Sequence, residues 1–243
     1  MSSQENGATR PGAPTTDRVK HIFSTIAPSY DMFNALSSFG IDRLWRRATV
    51  RLAGPDSASA VLDLAAGTGD LTMAFARLGK PASVLSTDFV PEMLEVGKRK
   101  AARYSGPTTI DFAVVDAQAL PFGDASFDIV TIAFGVRNLP ERDRNFAEVR
   151  RVLKPGGRYV ILEFSTPALA PFRVLYHFYL KTVIPFLGGL LTKDRASFQY
   201  LNDSIRAFPP QAALADELRA AGFKRVSWRN LTFGIVAVHL AEA

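Results

Sequence analysis

Apolar and polar positions follow two regimes along this chain. Short unbroken apolar runs, the pattern of strands covered on both faces, alternate with stretches of helical period. The sharpest junction is AVLDLAAGTGDLT, residues 60–72. It opens as an apolar run, turns at Gly67-Thr68-Gly69 and leaves amphipathically through Leu71, Phe75 and Leu78. That order predicts a buried strand, a tight glycine turn and a helix. The same reading puts strands at 60–65, 83–88, 109–115, 127–133 and 158–164. Helices fall between them at about 70–77, 91–104 and 141–153, with Pro91 in a first turn and a stop at Lys154-Pro155-Gly156-Gly157. Strand–helix alternation of this kind implies a parallel sheet with helices on both faces.

Both ends depart from that rhythm. A short helix runs through Val19, Ile22, Phe23 and Ile26, with Asp17 placed to cap it. The segment APSYDMFNALSSFGIDRLWRR mixes aromatic, Asn and Asp residues without a clean period and becomes helical near Ile41. After the fifth strand, 171–191 is aromatic and apolar, a helical stretch covers about 195–207, and another covers 211–221 before Gly222. Two last strands, 223–229 and 234–240, are split by Asn230-Leu231-Thr232 and suggest a reversed hairpin at the sheet edge. The expectation is an α/β fold with seven strands, mostly parallel. Residues 1–16 form a disordered tail, and 17–243 form one domain with a helical cap (17–52) and a helical lid insertion (168–207).

Composition narrows this picture. A length of 243 residues suits one large α/β domain, and 47% hydrophobic residues supply its core. The absence of cysteine excludes disulfides and thiol catalysis and fits a reducing cytosol, so a cytoplasmic protein is expected. The net charge of +6 suggests an anionic partner, or says little by itself. Arg43, Arg46, Arg47 and Arg51 are read as sharing one helix face, either solvated or turned to anionic lipid. The first residues are rich in Ser, Gly, Pro and Thr without an apolar block, unlike a signal peptide. The nearest approach to a spanning helix, 175–191, is broken by Lys181, Pro185 and Gly188-Gly189.

Candidate chemistry gathers at the expected carboxyl ends of the strands, where ligands of parallel sheets sit. Gly67 and Gly69 let backbone approach a ligand, and the helix start behind them offers free N–H groups. Asp63 stands four residues before the turn. A carboxylate there repels a pyrophosphate and attracts an ammonium group. That favours S-adenosylmethionine over a dinucleotide, as does Thr72 where a dinucleotide fingerprint needs a third glycine. Asp88 follows Gly69 by 19 residues, the spacing of a ribose-binding acid, although a helix cap is the other reading. Asp116 can accept from an exocyclic amine, with the Ala117 N–H directed at the ring. Asp128, at the start of a strand, serves the fold.

These segments also carry a resemblance. VLDLAAGTGDLT, DFVPEML, DAQALPFGDASFDIVTIAFGVRNLP and RVLKPGGRYVILEFS resemble class I S-adenosylmethionine methyltransferases. More narrowly, YDMFNALSSFGIDRLWRR and FGVRNLPERDRNFAEVRRVLKPGGR look like the two signatures of the ubiquinone/menaquinone C-methyltransferase family, and YLNDSIRAFP and NLTFGIVAVHL match its C-terminal part. The resemblance implies a Rossmann-like fold. It makes Thr68, Asp88 and the pair Asp116-Ala117 cofactor contacts. It adds a contact at Ala133, where the family often has serine and a hydroxyl is lost here, and it places alanine at position 65 where many class I enzymes have glycine.

The implied reaction is methylation of a ring carbon of a prenylated quinol: demethylmenaquinol, or alternatively a polyprenyl-methoxy-benzoquinol. The carbon becomes nucleophilic when its neighbouring hydroxyl loses a proton. Arg137 and Asn138 follow the fourth strand beside the expected methyl position. Arg137 is a candidate to stabilise the phenolate or hold a water, since arginine stays protonated and is a poor base. Tyr30 and Asn34 can cover the ring, and Glu163 can orient Arg137. His177 is an alternative base, or packing in an aromatic helix. The stretch 171–191 reads as a lid for the prenyl tail, or as an ordinary buried helix.

Peripheral contact with the inner face of the cytoplasmic membrane is expected, a homo-oligomer is left open, and neither nucleic acid nor a metal is expected. An amine-methylating nucleic-acid enzyme would carry an Asn/Asp-Pro-Pro-aromatic tetrad, which Phe208-Pro209-Pro210 is not, and cytosine C5 chemistry needs a cysteine. A non-catalytic binding module would keep the glycine turn without needing Arg137-Asn138.

Overall fold

The computed structural model describes residues 15–28, 30–167, 169–185 and 195–243. Its centre is β1 (Ala60–Leu64), whose last four residues are buried. β1 pairs in parallel with both β2 (Ser83–Asp88) and β4 (Phe127–Ala133), so neighbouring connections leave it in opposite directions. With β3 (Thr109–Val114), β5 (Leu153–Phe164), β6 (Lys224–Leu231) and β7 (Val236–Glu242), the sheet runs β3-β2-β1-β4-β5-β7-β6. β7 is antiparallel to both of its neighbours, which is the reversed hairpin expected from the sequence. The crevice beside β1 is therefore the topological switch point, where ligands of open α/β sheets bind.

Apolar layers cover both faces. One contains Leu62, Leu64, Ile132, Phe146, Tyr159 and Leu218, joined by α6 (Arg142–Val152) and α9 (Gln211–Ala220). The other contains Val61, Leu71, Phe75, Val84 and Val238, joined by Trp45, Val50 and Ala53 of α3 (Asp42–Ala53). Here α3 turns Asp42, Trp45, Arg46, Thr49, Val50 and Ala53 inward. Arg43, Arg47 and Arg51 are exposed, whereas Arg46 is buried. The expectation of four arginines on one face is corrected accordingly: a step of three residues from Arg43 rotates Arg46 onto the sheet side.

Other boundaries move for local reasons. β1 stops one residue early because Ala65 adopts φ 45°, which turns the chain so that the Ala66 N–H reaches the Thr87 carbonyl at 2.9 Å. The glycine turn has Gly67 at φ 58° and Gly69 at φ 77°, conformations that favour glycine. It leads into α4 (Asp70–Ala74), which widens into a π-helical turn over Phe75–Gly79. β5 begins at Leu153, not at 158, because Phe127 pairs with Leu153 before the register slips to Ile129–Arg158. Asp128 braces that slip, accepting from Ala60 N at 2.9 Å and Lys154 Nζ at 2.8 Å, as expected of a residue serving the fold. α5 (Pro91–Ala101) begins at its proline.

The aperiodic N-terminal segment forms α2 (Tyr30–Ser37). α1 (Thr16–Ile26) starts one residue before Asp17, which lies in its first turn and is not its N-cap. The lid stretch forms α7 (Ala170–Phe178), continued by a π-helical turn over Tyr179–Val183, and α8 spans Arg195–Ala207. Of the expected tail, 1–16, residues 1–14 lie outside the described residues and Thr16 already belongs to α1; of the expected lid, position 168 and residues 186–194 lie outside them.

Candidate active site

Three cavities open along the carboxyl ends of β1–β4. The first, about 690 Å³ including open solvent, is lined by Gly67, Asp88, Asp116, Ala117 and Ala133, with Tyr30 and Asn138 among the residues around them. The Asp88 carboxylate is held by two backbone donors, Gly67 N at 2.8 Å and Val90 N at 2.9 Å. Burial pushes it up to about 6 despite those bonds. Asp116 Oδ1 accepts from the Gln118 backbone N at 2.8 Å and its Nε2 at 3.2 Å, which fixes the loop after β3. Asn145 Nδ2 donates to the Ala117 carbonyl at 2.6 Å, and Tyr159 Oη donates to Asn145 Oδ1 at 2.8 Å. The Ala117 peptide is thus tied to the core from below. Ala133 presents only a methyl group.

The second cavity is smaller, about 330 Å³, and is lined by Asp63, Gly67, Thr68, Arg46, Asp70 and Tyr30, among others. Asp63 is fully buried at the end of β1; its Oδ2 accepts from Thr72 Oγ1 at 2.6 Å. Its Oδ1 has no partner among the described residues, and burial pushes the carboxyl up to about 7. Arg46 pairs with Asp42 through Nη1 and lies 3.5 Å from Asp70 through Nη2, while its Nε is buried and unpartnered among the described residues. Thr68 is committed to the cap. Its Oγ1 donates to Asp31 Oδ1 at 2.5 Å and accepts from Lys100 Nζ at 3.1 Å. Lys100 also bridges Asp31 and Asp70, each at 2.6 Å.

The third cavity is the largest, about 1810 Å³ including open solvent, with a mainly apolar wall that includes Phe33, Trp45, Phe164, Leu180 and Ile205. It meets the first cavity at Phe23, Tyr30 and Phe134, which line both. Arg137 lies at this junction on a 3-10 turn, Val136–Asn138. Its Nη1 is 2.7 Å from Glu163 Oε1 and also donates to the Phe134 carbonyl; its backbone N donates to Glu163 Oε2 at 3.3 Å. Glu163 therefore orients Arg137 as expected. Arg137 Nε is buried and unpartnered among the described residues. Tyr200 Oη donates to Asn138 Oδ1 at 2.9 Å, and burial pushes the Tyr30 hydroxyl upward. Asn34 lines the apolar cavity, whereas His177 is not among the residues lining any of the three.

The strand order agrees with the comparisons. The model of the ubiE/COQ5 methyltransferase family matches residues 13–242. The chain belongs to that family. Two similar relatives are named ubiquinone/menaquinone biosynthesis C-methyltransferase UbiE. The one from Acidiphilium cryptum is 44% identical over 232 residues, covering 96% of this chain and 93% of the relative. The one from Geotalea daltonii is 44% identical over 227 residues, covering 93% and 96%. An S-adenosylmethionine-dependent methyltransferase structure from Thermotoga maritima superposes with a TM-score of 0.64 over 91% of this chain and 98% of its own, at 18% identity, which shows the fold alone.

Membership makes S-adenosylmethionine the cofactor of this ubiE/COQ5-family chain, and the residues present fit it. Asp63 and Arg46 line one small cavity, and Asp63 Oδ1 and Arg46 Nε are buried polar atoms without partners among the described residues. That pairing suits the ammonium and carboxylate of an amino-acid head group. All eight cofactor candidates read from the sequence border these first two cavities except Gly69, which caps α4 behind the turn. Sequence reasoning missed Arg46, Asp31 and Lys100. For Arg46 the signal was present: positions 42, 46, 49, 50 and 53 repeat at helical spacing and mark the inner face of α3.

Proposed function

We propose that this protein uses S-adenosylmethionine to methylate a ring carbon of a prenylated quinol, converting demethylmenaquinol to menaquinol. The observation that carries this reading is the junction of a cleft bordered by Asp88 and Asp116 with a large apolar cavity at Tyr30 and Phe134, with Arg137 beside it. When bound, S-adenosylmethionine supplies an electrophilic sulfonium methyl group. Asp88 receives ribose hydroxyls, Asp116 an exocyclic amine, the Ala117 N–H a ring nitrogen, and Ala133 an apolar contact. Asp63 and Arg46 receive the head group, over the backbone of Gly67, Thr68 and Gly69.

Arg137, held by Glu163, stabilises the quinol oxygen as its proton leaves to a water. It serves as an electrostatic partner, since a guanidinium does not give up its proton. Tyr30 and Asn34 cover the ring, and Asn138, held by Tyr200, shapes the passage between the two cavities. The apolar walls exclude bulk water, which strengthens each of these interactions.

The prenyl tail leaves past α7, where Val174, Leu175 and Phe178 are exposed and Phe172 stacks on Phe233 at 4.4 Å. Among the described residues no helix is long and apolar enough to cross a membrane. We therefore read α7 as a surface that dips into one leaflet. A benzoquinol is the second reading, because the relatives' names cover both ubiquinone and menaquinone biosynthesis.

The test uses purified protein, methyl-labelled S-adenosylmethionine, and each reduced quinol in turn. Label in the naphthoquinol supports the first reading. Label only in the benzoquinol moves the assignment to the second. Label in neither, with the cofactor bound, overturns both.

A further inference from the structure

The apolar cavity has few polar groups in its wall, and nearly all are engaged inside the protein. Trp45 Nε1 donates to Thr232 Oγ1 at 2.7 Å, and Ser38 Oγ donates to Asp42 Oδ1 at 2.9 Å. Tyr179 Oη donates to the Ser37 carbonyl, Tyr200 Oη to Asn138 Oδ1, and Tyr30 is hydrogen-bonded with Asn34. Two side-chain atoms that are fully shielded stand apart, with no partner among the described residues: Arg137 Nε and Tyr176 Oη. Both residues line this cavity, and both are more than nine-tenths buried.

Tyr176 sits on the inward face of α7 within an apolar cluster of Phe33, Leu180, Ile184 and Ile205. A phenylalanine would fill that space as well. A buried hydroxyl without a partner is a cost that native structures avoid unless a ligand or water meets it. Burial holds this hydroxyl above the ordinary tyrosine range, while the nearby Arg137 guanidinium pulls the other way. The group stays protonated at neutral pH and is a donor, not a base.

A quinol ring carries two oxygens, and two residues of the cavity wall each carry a buried polar atom with no partner among the described residues. Resting on the reading above, we propose that Tyr176 is a positioning residue: its hydroxyl donates to the quinol oxygen remote from the methylated carbon, while Arg137 takes the oxygen beside that carbon. The two contacts together orient the ring and select which carbon faces the methyl group. Tyr176 thus discriminates a two-oxygen quinol from a ring that carries one hydroxyl.

The experiment compares Tyr176→Phe with wild type on two substrates. One is the full quinol; the other is an analogue that keeps the hydroxyl beside the methylated carbon and lacks the second. Wild type should show a KM about tenfold higher for the analogue, the size of one net hydrogen bond. In Tyr176→Phe, KM for the full quinol should rise to match, and deleting the oxygen should change nothing further. Its kcat should stay within about threefold, and calorimetric affinity for S-adenosylmethionine should be unchanged. Its Tm should equal or exceed that of wild type, because no protein hydrogen bond is lost.

An unchanged KM in Tyr176→Phe, with wild type turning over the quinol, overturns this inference and leaves the functional reading intact. A variant that still discriminates the two substrates does the same. Wild type that binds S-adenosylmethionine yet methylates no quinol overturns the functional reading and this inference with it.

Discussion

Arg137 and Glu163 form a buried ion pair, Nη1 to Oε1 at 2.7 Å, with both side chains at most 5% exposed. The pair joins the turn after β4 to the end of β5, so the guanidinium is fixed by the sheet and not by substrate. Removing one partner of such a pair costs about 3–5 kcal/mol, because the other charge stays buried. Glu163→Gln should lower stability by about that much in chemical denaturation and lower kcat at least tenfold. Arg137→Met should lower kcat more than it raises KM, as expected of a group that acts on charge developing in the transition state.

Asp63 and Asp88 carry opposite expectations for stability and binding as pH changes. Burial raises them to about 7 and about 6, from an ordinary value of 3.8. The cofactor-free fold therefore holds protons that the unfolded chain releases near pH 4, and its stability falls as pH rises from about 4 to about 7. Each unit of displacement corresponds to about 1.4 kcal/mol, so the loss amounts to several kcal/mol across that window. Thermal unfolding from pH 5 to 8 should show a declining Tm without cofactor. Affinity for S-adenosylmethionine should rise over the same range as Asp63 ionises, with proton release detected by calorimetry in two buffers of different ionisation enthalpy.

Asp88→Asn should weaken cofactor binding about 10–100-fold, since the charge that receives ribose hydroxyls is lost and the Gly67 N–H at 2.8 Å loses its ionised acceptor. Undiminished affinity in titration calorimetry would sink the assignment of this cleft.

Arg46→Lys keeps a cation but loses the planar fork. It should bind S-adenosylmethionine about tenfold more weakly, yet bind decarboxylated S-adenosylmethionine as wild type does. Equal losses for both ligands would show that Arg46 acts through its bonds to Asp42 and Asp70 alone.

Leu175 and Phe178 are 64% and 59% exposed on α7, so polar replacements should leave Tm within about 1 °C. Leu175→Glu with Phe178→Glu should reduce binding to anionic vesicles and turnover of long-chain quinol, while a short-chain analogue is turned over normally. Unchanged turnover of both substrates would defeat the assignment of α7 as the tail's entry.

The sequence alone determined the alternation of strands and helices, the glycine turn and the acids at three strand ends, because each is written in local period and spacing. The strands match to within a residue or two except where a register slip drew Leu153 into β5. Local pattern did not reveal α2, whose single buried residue, Phe33, leaves no periodic stripe. Only the tertiary structure decided that Thr68 is bound to the cap through Asp31, and that the Tyr176 hydroxyl is buried with no partner among the described residues. The reason is physical: whether a polar side chain is a solvated surface group or an unmet buried one depends on which distant segments close over it, and residue order along one helix does not carry that information.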